Sequence, residues 1–171
     1  MAQVYLGLGS NIERERYLAA GLDALSALYG ELSLSSVYDC AAVGFDGQPF
    51  LNMVVGLRTS AAVADLARDM RRIEIEHGRA PNAVRYSARQ LDIDILTYDD
   101  VVGEVDGVVL PRPEILDNAF VLRPLAELAP ATRHPVAGRS YADLWRDYDQ
   151  ASQAVRRVDF SWRGRLISTA E

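Results

Sequence analysis

The chain opens with an apolar run from Gln3 to Leu8 that predicts a first strand. "GLGSN", Gly7 to Asn11, predicts a glycine turn after it, with Asn11 placed to cap the next helix. Leu18, Leu22 and Leu25 recur at helical spacing, and Gly30 ends that helix. "LSLSSVY", Leu32 to Tyr38, predicts a second strand, followed by a loop from Asp39 to Pro49. In "FLNMVVGL", Phe50 to Leu57, Leu51, Met53, Val55 and Leu57 form one apolar face. Phe50, Asn52, Val54 and Gly56 form the other, mixed face. A second helix runs from about Ser60 to Glu76, with Val63, Leu66, Ala67, Met70 and Ile73 as its buried stripe. Gly78, Pro81 and Asn82 predict a loop. Leu91, Ile93 and Ile95 then alternate with Gln90, Asp92 and Asp94, the pattern of a strand with one buried face. Beyond it come a hairpin around Val105–Gly107, proline-punctuated helical pieces, and a short helix in "YADLWRDYD". The tail adds a strand, and Asp159 to Glu171 receive no role.

The order of elements, βαββαβ, predicts an α+β, ferredoxin-like sandwich with a C-terminal helical extension. Its helices cover one sheet face and leave the other for a ligand. The 171 residues, 49% hydrophobic, suit a single domain over 1–171. A net charge of −6 and a pI near 5.0 argue against nucleic acid as a partner. Cys40 is the one cysteine, so no internal disulfide forms, and a reducing cytoplasmic setting fits. No apolar run is long enough to span a membrane, and the N-terminus does not read as a signal peptide.

Asp92 and Asp94 put two carboxylates on one strand face, roughly 6–7 Å apart. By itself such a pair reads as a solvated sheet face. A hard divalent cation is the alternative that removes the repulsion. Arg71, Arg72, Arg79, Arg85 and Arg89 against Glu74 and Glu76 give the preceding segment a charge of +3. Cations feeding an acidic strand suit a metal-bound polyphosphate. "GLGSN" is a weak echo of a dinucleotide fingerprint. Ile12 stands at the third glycine, and the loop after strand two has no room for a crossover helix. Phe50 and Asn52 on one face could stack on and hydrogen-bond a flat heterocycle, or pack under the 39–49 loop. Cys40 reads as a structural thiol, and His77 and His134 as surface or cap residues.

Taken in order, "GLGSN", "FLN", "RIE", "GR", "R-x-x-x-R-x-L-D-I-D-I" and "LP-x-P…AFVLRPLAELAP" resemble 6-hydroxymethyl-7,8-dihydropterin pyrophosphokinase over nearly the whole chain. The resemblance implies transfer of pyrophosphate from ATP to a reduced pterin, in folate biosynthesis, by a cytoplasmic monomer. It implies that Asp92 and Asp94 hold two magnesium ions, with Asp92 also orienting the substrate hydroxyl. Arg79 and Arg89 would steady the phosphates, and Arg71, Glu74, Arg85, Ile95 and Arg112 would lie on the ATP side. Asn11, Val43, Gly44, Phe50, Asn52 and Phe120 would form the pterin pocket. The chain departs from the family pattern at Arg71, Pro81, Asn82, Ser87, Ala88, Arg112 and Asn118, all on the nucleotide side. Those departures leave two readings: an active pyrophosphokinase, or a pterin-binding relative with weak, absent or altered ATP chemistry.

Overall fold

The structure, a computed structural model, describes residues 1–42, 47–78 and 90–171. Strand β1 (Ala2–Ser10) leads to helix α1 (Arg14–Tyr29), then β2 (Ser33–Leu34), β3 (Val37–Cys40) and β4 (Phe50–Thr59). Helix α2 (Val63–Glu76) returns the chain to β5 (Asp92–Tyr98). The main sheet runs β5-β1-β4-β3 and ends on a strand from the tail, Val155–Val158, with β2 also on β4, and every pairing is antiparallel. This is the expected ferredoxin-like sandwich. The apolar positions of β1, β4 and β5 meet Leu18, Leu22 and Leu25 of α1, and Leu66, Met70 and Ile73 of α2, in one core.

The N-terminal half differs from expectation in three places. The glycine turn is strand: β1 continues through Gly7 and Gly9 to Ser10, paired with β4 on one side and β5 on the other. Asn11 does not cap α1. Its amide donates to the Gln48 carbonyl at 3.1 Å, and Glu13, in a left-handed conformation at φ 42°, precedes the helix instead. The second strand is split. Between Leu34↔Val55 and Tyr38↔Asn52, the Ser35–Ser36 side spends one residue more than β4, a bulge. The Ser35 hydroxyl closes the gap by accepting from Val54 N at 2.9 Å.

The second sheet face is only partly open. After the hairpin β6 (Gly103–Val105) and β7 (Val108–Leu110), helices α3 (Glu114–Asp117), α4 (Ala119–Leu128) and α5 (Tyr141–Asp147) follow. Ile115, Val121, Leu122, Leu125 and Tyr141 bury Val54 and Leu96 in a second core. Positions Gly7, Gly9, Asn52, Asp92 and Asp94 lie further along the same face.

The tail supplies three strands rather than one: β8 (Val155–Val158), β9 (Phe160–Trp162) and β10 (Arg165–Ser168). β8 joins the main sheet beside β3, and Phe160 is buried in the first core. Residues 168–171 then lie along β8. Ser168 Oγ donates to Val158 O at 2.6 Å, and Glu171 Oε1 accepts from Arg157 N at 2.9 Å. One end of the sheet is thus covered by the chain itself. β5 stands at the other end.

Candidate active site

Because β5 ends the sheet, part of its backbone faces outward and takes side-chain and loop partners. Ile93 N donates to Glu74 Oε2 at 2.8 Å, and Leu96 O accepts from Arg112 N at 2.8 Å. The first bond draws α2 to the strand, and explains why Glu74 is buried. The second holds the segment after β7. Between them opens a cleft of about 740 Å³, lined on one side by Arg71 and Glu74 and on the other by Arg112, Glu114 and Asn118, with Asp94 and Ile95 at its back. Four residues expected on the ATP side (Arg71, Glu74, Ile95 and Arg112) therefore share one wall system with Asp94. Asn118, expected on the nucleotide side as a departure from the family pattern, lines the cleft too, and Glu114 is a lining residue that was not expected there.

The cleft is crowded with acid. Burial, then the neighbouring charges of Asp92, Glu74 and Glu114, push the Asp94 carboxyl up to about 8, and Arg112 opposes them. The Arg112 guanidinium lies 3.4 Å from Asp94 Oδ1 and pairs with Glu114 as well. A side-chain cation thus already lies beside Asp94, between it and Glu114. Among the described residues no group of three or more His, Cys, Asp or Glu side chains is placed to hold a metal ion. Two carboxylates with phosphate oxygens and water completing the shell are the donor set that suits magnesium.

A pH dependence follows from the raised Asp94. A carboxyl whose pKa rises on folding gives stability that is complete below its unfolded value and lost as pH climbs through the folded one. Without metal or nucleotide, the melting temperature of the protein should fall relative to that of Asp94→Asn between about pH 4 and 8. Parallel melting curves for the two proteins across that range would show Asp94 to be unstrained.

The other part of the face is shaped by glycine. Register places Gly9 between Asn52 on β4 and Asp92 on β5, and Gly7 between Val54 and Asp94. A Cβ on Gly9 would stand 2.7 Å from Asn52 Oδ1 and 3.4 Å from Phe50 Cδ1. The side chains of Asn52 and Phe50 therefore lie over the bare backbone of Gly9, and Asp92 is about two strand spacings, roughly 10 Å, from Asn52. That span is on the order of the length of a flat bicyclic ring, with a carboxylate at its far end. Cys40, opposite Phe50, is buried, and burial pushes its thiol up to about 12, which fits a structural role. His134 is buried too, its Nδ1 accepting from Val136 N and Ala137 N, and burial lowers its pKa. It caps a turn.

Phe120 stands in the first turn of α4, against the second core. Val43, Gly44, Arg79, Arg85 and Arg89 lie outside the described residues, as do Pro81, Asn82, Ser87 and Ala88. Gly9 was missed as a site residue because its role depends on cross-strand neighbours. Its period-two spacing from Gly7 and Tyr5 was the available signal.

Residues 5–130 match the family described as 7,8-dihydro-6-hydroxymethylpterin-pyrophosphokinase (HPPK). The 2-amino-4-hydroxy-6-hydroxymethyldihydropteridine pyrophosphokinase of Porphyromonas gingivalis is 40% identical over 144 residues, 80% of this chain and 97% of that protein. Its counterpart in Aquifex aeolicus is 36% identical over 138 residues, 80% of this chain and 86% of that one. Among solved structures, wild-type HPPK-DHPS of Plasmodium falciparum superposes with a TM-score of 0.73 at 12% identity, over 98% of this chain and 50% of that one. The likeness to that structure is one of fold, and this chain spans about half its length. With most of its length matched, including β5 and its acid pair, the chain belongs to the 7,8-dihydro-6-hydroxymethylpterin-pyrophosphokinase family.

Proposed function

We propose that this chain transfers pyrophosphate from ATP to the hydroxymethyl group of 6-hydroxymethyl-7,8-dihydropterin, releasing AMP, across the face and outer edge of β5. The observation that carries this is the junction at Asp94: the same strand presents an acid pair beside the glycine floor and forms the back of the cleft. Asn52 reads the polar edge of the pterin over Gly9, and Phe50 and Phe120 hold its ring. Asn11 fixes the base of the 39–49 loop through Gln48. Val43 and Gly44 complete this pocket.

The nucleotide lies in the cleft against Ile95, with Arg71, Glu74 and Arg112 around it. Arg79, Arg85 and Arg89 hold the phosphates. Asp92 accepts a hydrogen bond from the substrate hydroxyl and aims its oxygen at the β-phosphorus. A bond forms from the hydroxyl oxygen to the β-phosphorus as its proton passes to Asp92 and on to water, the bond from the β-phosphorus to the oxygen bridging the α- and β-phosphates breaks, and AMP leaves with that bridging oxygen. The chain's contribution is positioning and charge neutralisation. Asp92 and Asp94 would hold two magnesium ions, which supply neutralisation of the phosphate charge when bound. Arg112, held between Asp94 and Glu114, supports the active reading over an ATP-deficient one, since it puts a cation in the cleft at a position that departs from the family pattern. We also read 1–171 as one domain acting as a monomer in the cytoplasm. The tail's place in the main sheet and its cover over β8 support the first two points.

Calorimetric titration tests the arrangement. A non-hydrolysable ATP analogue should bind only with magnesium present, and the pterin should then bind more tightly than to the free protein. Equal analogue binding with and without magnesium would contradict the role given to Asp92 and Asp94.

A further inference from the structure

We propose that Gln153 is a positioning residue for this reaction, setting the start of α4 and with it Asn118 and Phe120. The inference rests on the placement of those two residues at the nucleotide and the pterin. Helices α3 and α4 meet at one extended residue, Asn118, with φ −121° and ψ 124°. Such a junction leaves the first amides of α4 to be satisfied. The side chain of Asn118 makes no capping bond to its own helix. The cap comes from 34 residues away: Gln153 Oε1 accepts from Ala119 N at 2.9 Å. The same amide group's Nε2 donates to Asn118 Oδ1 at 3.1 Å and lies 3.4 Å from Asp117 O. One side chain thus seats the backbone next to Phe120 and orients the side chain of Asn118 in the cleft.

The first turn of α4 has particular need of this anchor. Pro124 lies inside the helix and carries no N–H, so the carbonyl of Phe120 receives no helical bond from it. The flanking segment adds two more ties. Tyr148 Oη donates to Asp117 O at 2.8 Å, and Arg123 Nη1 donates to Val155 O at 2.7 Å. The buried face of α4, with Val121, Leu122 and Leu125 in the second core, holds the helix body independently of Gln153. Removing the amide should therefore disturb the helix start while the fold persists.

Two variants separate its two bonds, read as KM for each substrate in AMP formation alongside melting temperature. Gln153→Ala should raise KM for both pterin and ATP by about tenfold each. Gln153→Glu still accepts from Ala119 N, and its charge suits a helix N-terminus, but it has no donor for Asn118. Pterin KM should return towards the parent value while ATP KM stays raised. A lowered melting temperature with both KM values unchanged would make Gln153 merely structural and overturn the inference. Phe120→Ala, measured alongside, distinguishes the failures. If it leaves pterin KM unchanged, the placement of Phe120 is wrong. If it raises pterin KM and Gln153→Ala does not, the positioning role is wrong.

Discussion

Asp94→Ala is expected to lower the rate of AMP formation by about 10³-fold or more while the protein keeps its fold. The activity loss follows from its place. Asp94 is the one member of the acid pair that also lines the cleft, so in the proposed arrangement it stands where metal, phosphate and pterin hydroxyl converge. The structural tolerance follows from its environment. Its side chain belongs to neither hydrophobic core, and its carboxyl is held up to about 8 by burial and by the acids around it. Deleting a carboxyl whose ionisation the fold disfavours relieves that conflict rather than opening a hole in the core. Arg112 loses one partner and keeps Glu114. Near neutral pH the metal-free variant should therefore melt no lower than the parent. Steady-state AMP formation and a melting curve check both halves, and undiminished turnover would show that Asp94 takes no part in holding the metal.

Gly9→Ala is the second large effect, and it separates binding from stability more sharply. The new methyl group would lie 2.7 Å from Asn52 Oδ1, far inside contact distance. The obstacle is the end of a flexible side chain, so the strand can keep its register while Asn52 swings away. Alanine in place of glycine also lowers the entropy of the unfolded chain, which offsets part of any strain. Pterin affinity should fall by about 10–100-fold, the range expected when a buried hydrogen-bonding group loses its partner. Melting should change by only a few degrees. A titration with pterin in the presence of the ATP analogue and magnesium checks this. Unchanged pterin affinity would remove Asn52 from the pocket.

Much of this arrangement can be read from residue pattern, and the exceptions have definite causes. Alternation in β4 and β5 is regular because one face of each strand enters a single core. The pattern therefore places Asn52, Asp92 and Asp94 on the opposite face correctly. The same logic failed at "GLGSN". Glycine is read locally as a turn, but here it is strand because neighbouring side chains fill the space above it. The split after Leu34 turns on a serine hydroxyl substituting for a ladder bond, which no periodicity reports. The second core was missed because the helices that cover Val54 and Leu96 are short and broken by prolines. In the tail, β8 pairs with β3 more than a hundred residues earlier, and its arginines mask the alternation of a strand. Glu74 lay in plain view, four residues after Met70 on the apolar stripe. Its burial makes sense only once Ile93 N is seen to need an acceptor.

In the proposed reaction a sheet face and a strand edge, joined at Asp94, pass a pyrophosphoryl group between two substrates. Its most direct test is to follow both nucleotide and pterin products by chromatography after mixing the chain with ATP, magnesium and 6-hydroxymethyl-7,8-dihydropterin. AMP and the diphosphate ester of the pterin should form in equal amounts, with none formed when magnesium is withheld. ADP in place of AMP, or no AMP above background at high protein concentration, would contradict it.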